Sequence, residues 1–179
     1  MSKTWLVSDT HFGHTGVTKF LGPDGKTKLR PYKTVEEMDE DMVKKWNSVV
    51  KPEDRVWHLG DVVINRKALP ILERLNGRKK LIMGNHDIFD AKEYLKYFDD
   101  VKSFHKLDEY ALTHIPLHPD SVGRWARGNI HGHLHANNVM KKPRWLGKKN
   151  RDMRYICVCV EHTNFTPIDF DDIVKGRFV

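Results

Sequence analysis

The stretch Leu81-Ile82-Met83-Gly84-Asn85-His86-Asp87 joins a short apolar run to three consecutive polar side chains. The apolar part, together with Lys80, predicts a buried strand over 80–83. An amide, an imidazole and a carboxylate then follow directly, at the C-terminal end of that strand. Because open α/β sheets hold their ligands at this end of the strands, the stretch predicts a functional site as well as a class of fold.

The rest of the chain alternates between strand and helix patterns. The clearest helix follows Thr34, which forms a capping box with Glu37, and its apolar residues keep helical spacing until Pro52. Shorter helices are predicted over 68–75 and after Asp90. Strands are predicted over 4–8, 55–59, 80–83, 101–107, 109–113 and 155–160, with a last strand and helical turn around 166–174. This order predicts a single α/β domain over residues 1–179, a sandwich of two mixed β-sheets flanked by helices.

The composition suits one domain with a substantial core. The chain has 179 residues, of which 39% are hydrophobic and 31% are charged. No apolar run approaches the roughly 20 residues that a membrane span needs, and the start lacks a signal-peptide pattern, so we expect a cytoplasmic protein without a membrane partner. A formal net charge of +7 suggests an anionic partner. Cys157 and Cys159 alternate along one predicted strand, which favours buried, reduced thiols over a disulfide.

Polar side chains follow five strand ends, the last of them after Asn129 and Ile130. Each cluster alone is typical of a turn, because Asp, Asn and Gly are common turn residues. Together they supply two carboxylates, one amide and four imidazoles, which favours a metal centre. In Asp9-x-His11 and His133-x-His135, the two side chains of each pair, if the backbone is extended, point the same way and can converge on a metal centre. The candidate ligands are Asp9, His11, Asp61, Asn85, His114, His133 and His135.

Seven ligands are too many for one ion but suit two ions that share a carboxylate. Mixed nitrogen and oxygen ligands favour Mn, Fe, Zn or Ni over Ca or Mg. Two such ions, about 3.5–4 Å apart, hydrolyse phosphate esters by acidifying a water and neutralising the charge that develops on phosphorus.

The motif set resembles that of the calcineurin-like metallophosphoesterase superfamily, in the same order, over about residues 4–135. The opening Ser-Asp-Thr-His-Phe-Gly-His at 8–14, with Arg30-Pro31, is also similar to small bacterial and phage-encoded members. The motifs that carry the resemblance are Asp9-x-His11, Gly60-Asp61, Gly84-Asn85-His86-Asp87, His114 and Gly132-His133-x-His135.

This resemblance implies a metallophosphoesterase-type α/β sandwich that holds two divalent transition-metal ions, with Mn the first choice and Fe, Zn or Ni as alternatives. Asp61 would bridge the two ions. The first ion would be held by Asp9, His11 and His135, and the second by Asn85, His114 and His133.

The resemblance also implies a mechanism. His86 would not be a ligand; it would reach the scissile phosphate, stabilise the transition-state charge and protonate the leaving oxygen. Asp87 would orient His86. A hydroxide bridging the metals would attack phosphorus in line, without a covalent phospho-enzyme.

Several further residues are candidates for binding the substrate. His14 either faces the substrate or is a polar loop residue, and His118 is a candidate for the pocket wall. The basic segment 141–154 includes Trp145 and is either a solvated loop or an electropositive rim for a nucleotide or nucleic acid. Arg30, Arg124 and Arg127 would share that rim. His58 and His131 are predicted to be core or supporting residues rather than ligands.

We therefore expect a binuclear metal-dependent phosphohydrolase acting on a phosphate ester. The short chain lacks a cap that could close over a small monoester, which favours a phosphodiesterase. The alternatives are a metal-dependent nuclease, a phosphomonoesterase and a nucleic-acid-binding protein with incidental metals. A non-catalytic binding module on the same fold, like the retromer subunit, would show lost ligands or a lost catalytic histidine, and this sequence shows neither.

Overall fold

The first β-sheet has five strands in the order β4-β3-β2-β1-β9 in the computed structural model, which describes residues 2–141 and 150–178. Strands β1 to β4 are parallel, and β9 is antiparallel to β1. The C-terminal ends of β1 to β4 therefore lie at the same edge. The strands are β1 (Thr4–Val7), β2 (Arg55–His58), β3 (Arg78–Ile82), β4 (Asp100–Lys102) and β9 (Ile168–Asp169).

The second β-sheet has four strands in the order β5-β6-β7-β8. Strand β5 is antiparallel to β6, whereas β6, β7 and β8 are parallel. A bridge between Ser8 and Cys159 joins the two sheets where they meet. The α/β sandwich with two mixed sheets and flanking helices is thus confirmed. The strands are β5 (His105–Leu107), β6 (Tyr110–Leu112), β7 (Gly128–His131) and β8 (Tyr155–Cys157).

The main helix, α1 (Val35–Val49), begins as predicted. The Thr34 side chain accepts a hydrogen bond from the Glu37 backbone N–H at 3.1 Å, and α1 buries Met38, Met42 and Trp46. Two short helices are α2 (Ala91–Tyr94) and α3 (Phe170–Val174).

Strand β1 is buried on both faces, which places it at the centre of the fold. Trp5 and Val7 pack into the cluster that includes Trp46 of α1, whereas Leu6 packs into a second cluster with Trp57 of β2 and Ile130 of β7. The second cluster thus fills the space between the sheets. Burying aliphatic or aromatic side chains of this size contributes about 1.5–3 kcal/mol each, so both sheets are fixed around β1.

Three predicted elements differ from the structure. The segment 68–75 lies largely in a 3-10 helix, Arg66–Arg74, because Pro70 cannot donate the backbone hydrogen bond that an α-helix needs. The predicted strand 101–107 is divided, because the chain leaves the first sheet after β4 and enters the second at β5. The last predicted strand of the second sheet ends at Cys157 rather than at 160. A second 3-10 helix covers Thr15–Lys19.

One sequence prediction lies largely outside the described residues. Most of the basic segment 141–154, including Trp145, is at 142–149, which the structure does not describe.

Within the described part of the chain, no helix has the length and apolar character needed to cross a membrane.

Candidate metal centre

The candidate metal ligands follow the C-terminal ends of five strands, which the two sheets bring to a common edge. Two of these strands, β6 and β7, are parallel neighbours in the second sheet. The other three, β1, β2 and β3, are parallel neighbours in the first sheet. Asp9 follows β1, Asp61 follows β2, Asn85 follows β3, His114 follows β6, and His133 and His135 follow β7.

Asp9 presents one carboxylate oxygen to two histidines. Its Oδ2 accepts hydrogen bonds from Ser8 Oγ at 2.6 Å, from the His133 backbone N–H at 2.9 Å and from Cys159 Sγ at 3.1 Å. Its Oδ1 has no hydrogen-bond partner among the described residues, and it lies 3.8 Å from His11 Nε2 and 3.9 Å from His135 Nε2. Oδ1 is therefore the oxygen left free to bind a cation.

The geometry of this first group fits a metal ion. Both ring nitrogens of His11 are buried and have no hydrogen-bond partner among the described residues. A buried polar atom without a partner costs about 1–3 kcal/mol, and an ion bound at His11 Nε2, the nitrogen that faces Asp9 and Asp61, would remove that cost there. Donor atoms around an ion with bonds of about 2.1 Å lie about 3.4 Å apart in tetrahedral geometry, close to the distances from Asp9 Oδ1.

Asp61 lies between the first group and a second one. Its Oδ2 is 3.6 Å from His11 Nε2 and 3.4 Å from His114 Nε2. His114 Nδ1 lies 2.7 Å from the Leu59 carbonyl oxygen and donates its proton to it, which in a neutral ring leaves Nε2 as an acceptor. That nitrogen also faces the Asn85 amide oxygen at 2.9 Å. A cation among these acceptors removes the repulsion between them.

The electrostatics of the second group agree with a bound cation. Burial acts to lower the pKa of His114, but Asp61 and Asp9 act to raise it, and the net pKa lies above the ordinary value. The site therefore favours a positive charge, which a divalent ion supplies in place of the proton. The His133 ring lies 5.1 Å from the His114 ring, at the same group. Its role as a ligand stays a prediction.

The backbone at the candidate ligands is unusual. Among the described residues, eight non-glycine residues have a positive φ, and five of them are candidate ligands. Such conformations cost energy and concentrate at functional sites. Asp9 and His11 thus meet through left-handed backbone, at 3.8 Å between Asp9 Oδ1 and His11 Nε2, and not on the extended backbone that their spacing suggested. The five ligands are Asp9 (φ 58°), His11 (49°), Asp61 (55°), His133 (69°) and His135 (48°).

Two glycines allow the loops to approach the carboxylates closely. A Cβ on Gly84 would overlap the Asp61 carboxylate, and a Cβ on Gly132 would overlap Ser8 Oγ and the Asp9 carboxylate. Any larger residue at either position would displace a candidate ligand.

His86 is exposed at the mouth of the centre. Its backbone N–H donates to Asp61 Oδ1 at 2.9 Å, and its ring lies 5.6 Å from the His11 ring. The imidazole is therefore next to the candidate ligands, on the side open to solvent.

Asp87 does not orient His86, so that prediction is wrong. Its carboxylate is buried and accepts backbone hydrogen bonds from Asp61 and Gly84, both at 2.8 Å, and from Val62 at 2.9 Å. Burial raises the pKa of Asp87 despite these three donors. The residue ties the loop after β2 to the loop after β3, and this contact fixes the position of Asp61.

Arg30 does not belong to a basic rim, so its assignment as a substrate-binding residue is also wrong. Its side chain is fully buried and donates to the backbone carbonyls of Asp9 at 2.5 Å and Thr10 at 2.8 Å. It also pairs with Glu161 at 2.8 Å. The guanidinium therefore supports the Asp9 loop from inside the protein.

Glu161 is a functional candidate that the sequence analysis missed. Its buried carboxylate accepts a hydrogen bond from His135 Nδ1 at 3.0 Å, while Arg30 holds the same oxygen. Burial acts to lower the pKa of His135, but Glu161 raises it, and the net pKa lies above the ordinary value. A carboxylate on the far nitrogen fixes the tautomer and makes the near nitrogen a stronger ligand. The sequence offered one signal for this role: Glu161 is a carboxylate two residues beyond Cys159, directly after the predicted strand 155–160.

Replacing Glu161 by glutamine is expected to weaken metal binding at His135 by about 10- to 100-fold, because the negative charge that orients and polarises the imidazole is lost. Competition with a chromogenic chelator measures this affinity. Glu109→Gln is a matched control, since Glu109 is exposed and lies 3.9 Å from Arg127. Equal metal affinity in the Glu161 variant and the wild type would contradict the role given to Glu161.

The remaining candidates lie at different distances from the centre. The His14 ring is 5.7 Å from the His11 ring, beside the first group. His118 and Arg124 are exposed, and no hydrogen bond or ion pair among the described residues joins either one to the metal groups. The substrate roles of these three residues stay predictions.

Supporting residues behave as expected. His58 and His131 are buried, and His58 Nε2 lies 3.0 Å from Thr10 Oγ1. Both cysteines are free and buried, as predicted. In addition, the contact between Cys159 and Asp9 places one thiol directly behind a candidate ligand.

Comparison with known proteins finds relatives over most of the chain. The family model described as the calcineurin-like phosphoesterase superfamily domain matches residues 3–151, which include every candidate ligand. An uncharacterized protein of Methanocaldococcus jannaschii is 35% identical, over 98% of this chain and 91% of its own length. The gene 66 protein of mycobacteriophage L5 is 39% identical, over 69% of this chain and 59% of its own length.

One solved structure resembles the whole fold. It is a protein of unknown function from Aquifex aeolicus, 29% identical in sequence, and it superposes with a TM-score of 0.72 over 98% of this chain and all of its own chain. With the family match over most of its length and the motifs gathered at one sheet edge, this chain belongs to the calcineurin-like phosphoesterase superfamily.

Proposed function

We propose that this protein is a binuclear metal-dependent phosphohydrolase that acts on phosphodiesters. The observation that carries the proposal is the pair of donor groups, Asp9-His11-His135 and Asp9-Asp61-His114, whose ligand atoms lie within 4.8 Å of one another in each group. Two divalent ions, when bound, would acidify a water and neutralise charge on phosphorus. Mn²⁺ is the ion we would test first, because the donors are mixed nitrogen and oxygen.

The protein's own residues would hold the phosphate and move the proton. His86 is exposed next to the ligand groups, so its imidazole can donate a hydrogen bond to a phosphoryl oxygen and protonate the leaving oxygen. Asp61 is fixed by the His86 backbone N–H and by the loop that Asp87 holds. The backbone of His86 and the Asp61 carboxylate are thereby held together, which keeps the imidazole next to that carboxylate.

Two clefts favour a diester over a monoester. One, of about 480 Å³, is lined by His133 and His135. The other, of about 360 Å³, is lined by Asn85 and His114. The ligand set is therefore open on two sides. A phosphodiester has a substituent on each side of phosphorus, whereas a monoester has only one.

The experiment that tests this proposal compares Mn²⁺-dependent hydrolysis of bis(p-nitrophenyl) phosphate with that of p-nitrophenyl phosphate. We expect a higher kcat/KM for the diester. A preference for the monoester would contradict the diester assignment, and a metal-loaded protein inert to both would contradict the hydrolase assignment.

A further inference from the structure

Phe20 presents an aromatic ring to solvent beside the candidate metal centre. It is 49% exposed, and it lines the same cleft as His133 and His135. Leu21, beside it, is 54% exposed and also lines the cleft. Large apolar side chains that border a polar cleft mark a surface that binds something.

The backbone that carries Phe20 is held by a hairpin-like loop. The Leu29 N–H donates to the Phe20 carbonyl at 2.8 Å, and Leu21 forms an antiparallel bridge with Lys28. The Gly22 N–H donates to the Thr27 carbonyl at 2.7 Å, which closes the loop. Because the backbone is fixed on both sides, stacking against Phe20 orders little additional chain.

Ring contacts connect Phe20 to the metal centre. Phe20 meets the His14 ring edge to face at 5.7 Å, and His14 lies 5.7 Å from the His11 ring. A substituent on a phosphate held at the centre can therefore extend along His14 and reach Phe20.

The surroundings favour a nucleoside over an aliphatic chain. Three exposed lysines, Lys19, Lys26 and Lys28, lie on or next to the hairpin. They outnumber its one exposed carboxylate, Asp24, so the hairpin attracts an anionic substrate. The cleft is also lined by Asn137, whose exposed amide suits a ring with polar edges. Stacking on an aromatic ring accepts every base, because every base has a π-face.

We infer that Phe20 is the stacking platform of a nucleoside subsite, so that the substrate is a nucleotide or oligonucleotide phosphodiester. This inference rests on the proposed function, and it adds a substrate class and a residue that determines specificity. Phe20 touches the retained or departing nucleoside and takes no part in the chemistry at phosphorus.

The test uses two diesters with the same leaving group, thymidine 5′-(p-nitrophenyl phosphate) and methyl p-nitrophenyl phosphate, with the Mn²⁺-loaded protein. The wild type should prefer the nucleoside ester in kcat/KM. Phe20→Ala should reduce that preference by about 5- to 100-fold, because stacking of one base is lost, and should leave the methyl ester unchanged. Phe20→Tyr should retain the preference.

A second readout is independent of turnover. Calorimetry should show that thymidine 5′-monophosphate binds more tightly than methyl phosphate, and Phe20→Ala should remove that difference. Trp125→Ala is the matched control, since Trp125 is an aromatic residue of similar exposure (43%) outside both clefts, and it should change neither measurement.

The outcomes separate the two claims. Suppose that the wild type hydrolyses both esters. If Phe20→Ala then keeps the nucleoside preference, or loses activity equally on both esters, the subsite alone is overturned. A wild type inert to both esters would overturn the proposed function and the subsite with it.

Discussion

Replacing His86 by alanine is expected to lower kcat for diester hydrolysis by about 10²-fold or more while both metal ions stay bound. The imidazole is exposed beside the ligand groups, and the contact that His86 makes with Asp61 comes from its backbone, which alanine keeps. The loss combines protonation of the leaving oxygen with stabilisation of the transition-state charge. Steady-state kinetics together with elemental analysis of bound metal measure both quantities.

The matched control for this prediction is His105→Ala. His105 stacks on Trp57 at 4.2 Å, in the space between the sheets, and contributes no group to the metal centre. We expect wild-type kcat and wild-type metal content for this variant. If His86→Ala lost metal and activity together, His86 would be a ligand and the proposed division of roles would be wrong.

The second large effect is expected for Asp61→Asn, which should weaken metal binding by more than about 100-fold. Removing a partner that only orients a ligating histidine already costs about 10- to 100-fold in metal affinity, and Asp61 Oδ2 is close to a histidine of each donor group, 3.6 Å from His11 Nε2 and 3.4 Å from His114 Nε2. The amide can still accept the His86 N–H, so the local backbone should persist. Chelator competition measures the affinity, and circular dichroism checks the fold.

Asp99→Asn is the corresponding control, because Asp99 is exposed and pairs with Arg78 at 3.1 Å, away from the centre. It should bind two ions with wild-type affinity. Two tightly bound ions in Asp61→Asn would show that Asp61 is not the shared ligand.

The sequence predicts which strand ends carry the candidate ligands, because strand ends are a local property. An apolar run followed by Asp, Asn or His can be identified without knowing what packs against it, and the parallel order then brings those ends together. The predicted ligands Asp9, Asp61 and His114 follow from this reasoning, and the structure places all three in one group.

Residues that support the centre were harder to predict, because their partners are distant in sequence. Arg30 pairs with Glu161, 131 residues later, so its charge suggested a surface role that tertiary packing excludes. Asp87 is adjacent to His86 in sequence, yet its carboxylate turns to the backbone of Asp61 and Val62. Sequence neighbours are poor guides where a buried carboxylate must satisfy nearby N–H groups.

The secondary structure shows the same difference between features set by local sequence and features set by distant contacts. Helix α1 was predicted from its cap and its spacing, both of which are local. The division of the predicted strand 101–107 depends on which sheet each half joins, and no local pattern specifies that. Similarly, the left-handed backbone at Asp9 and His11 is maintained by surrounding contacts rather than by the preferences of those residues.

The most direct test of the proposed binuclear centre is anomalous diffraction from crystals of this protein grown with Mn²⁺. The proposed centre predicts two peaks about 3.5–4 Å apart, with the Asp61 carboxylate between them. One ion should contact Asp9, His11 and His135, and the other should contact Asn85, His114 and His133. A single peak, or two ions bound away from Asp61, would contradict it.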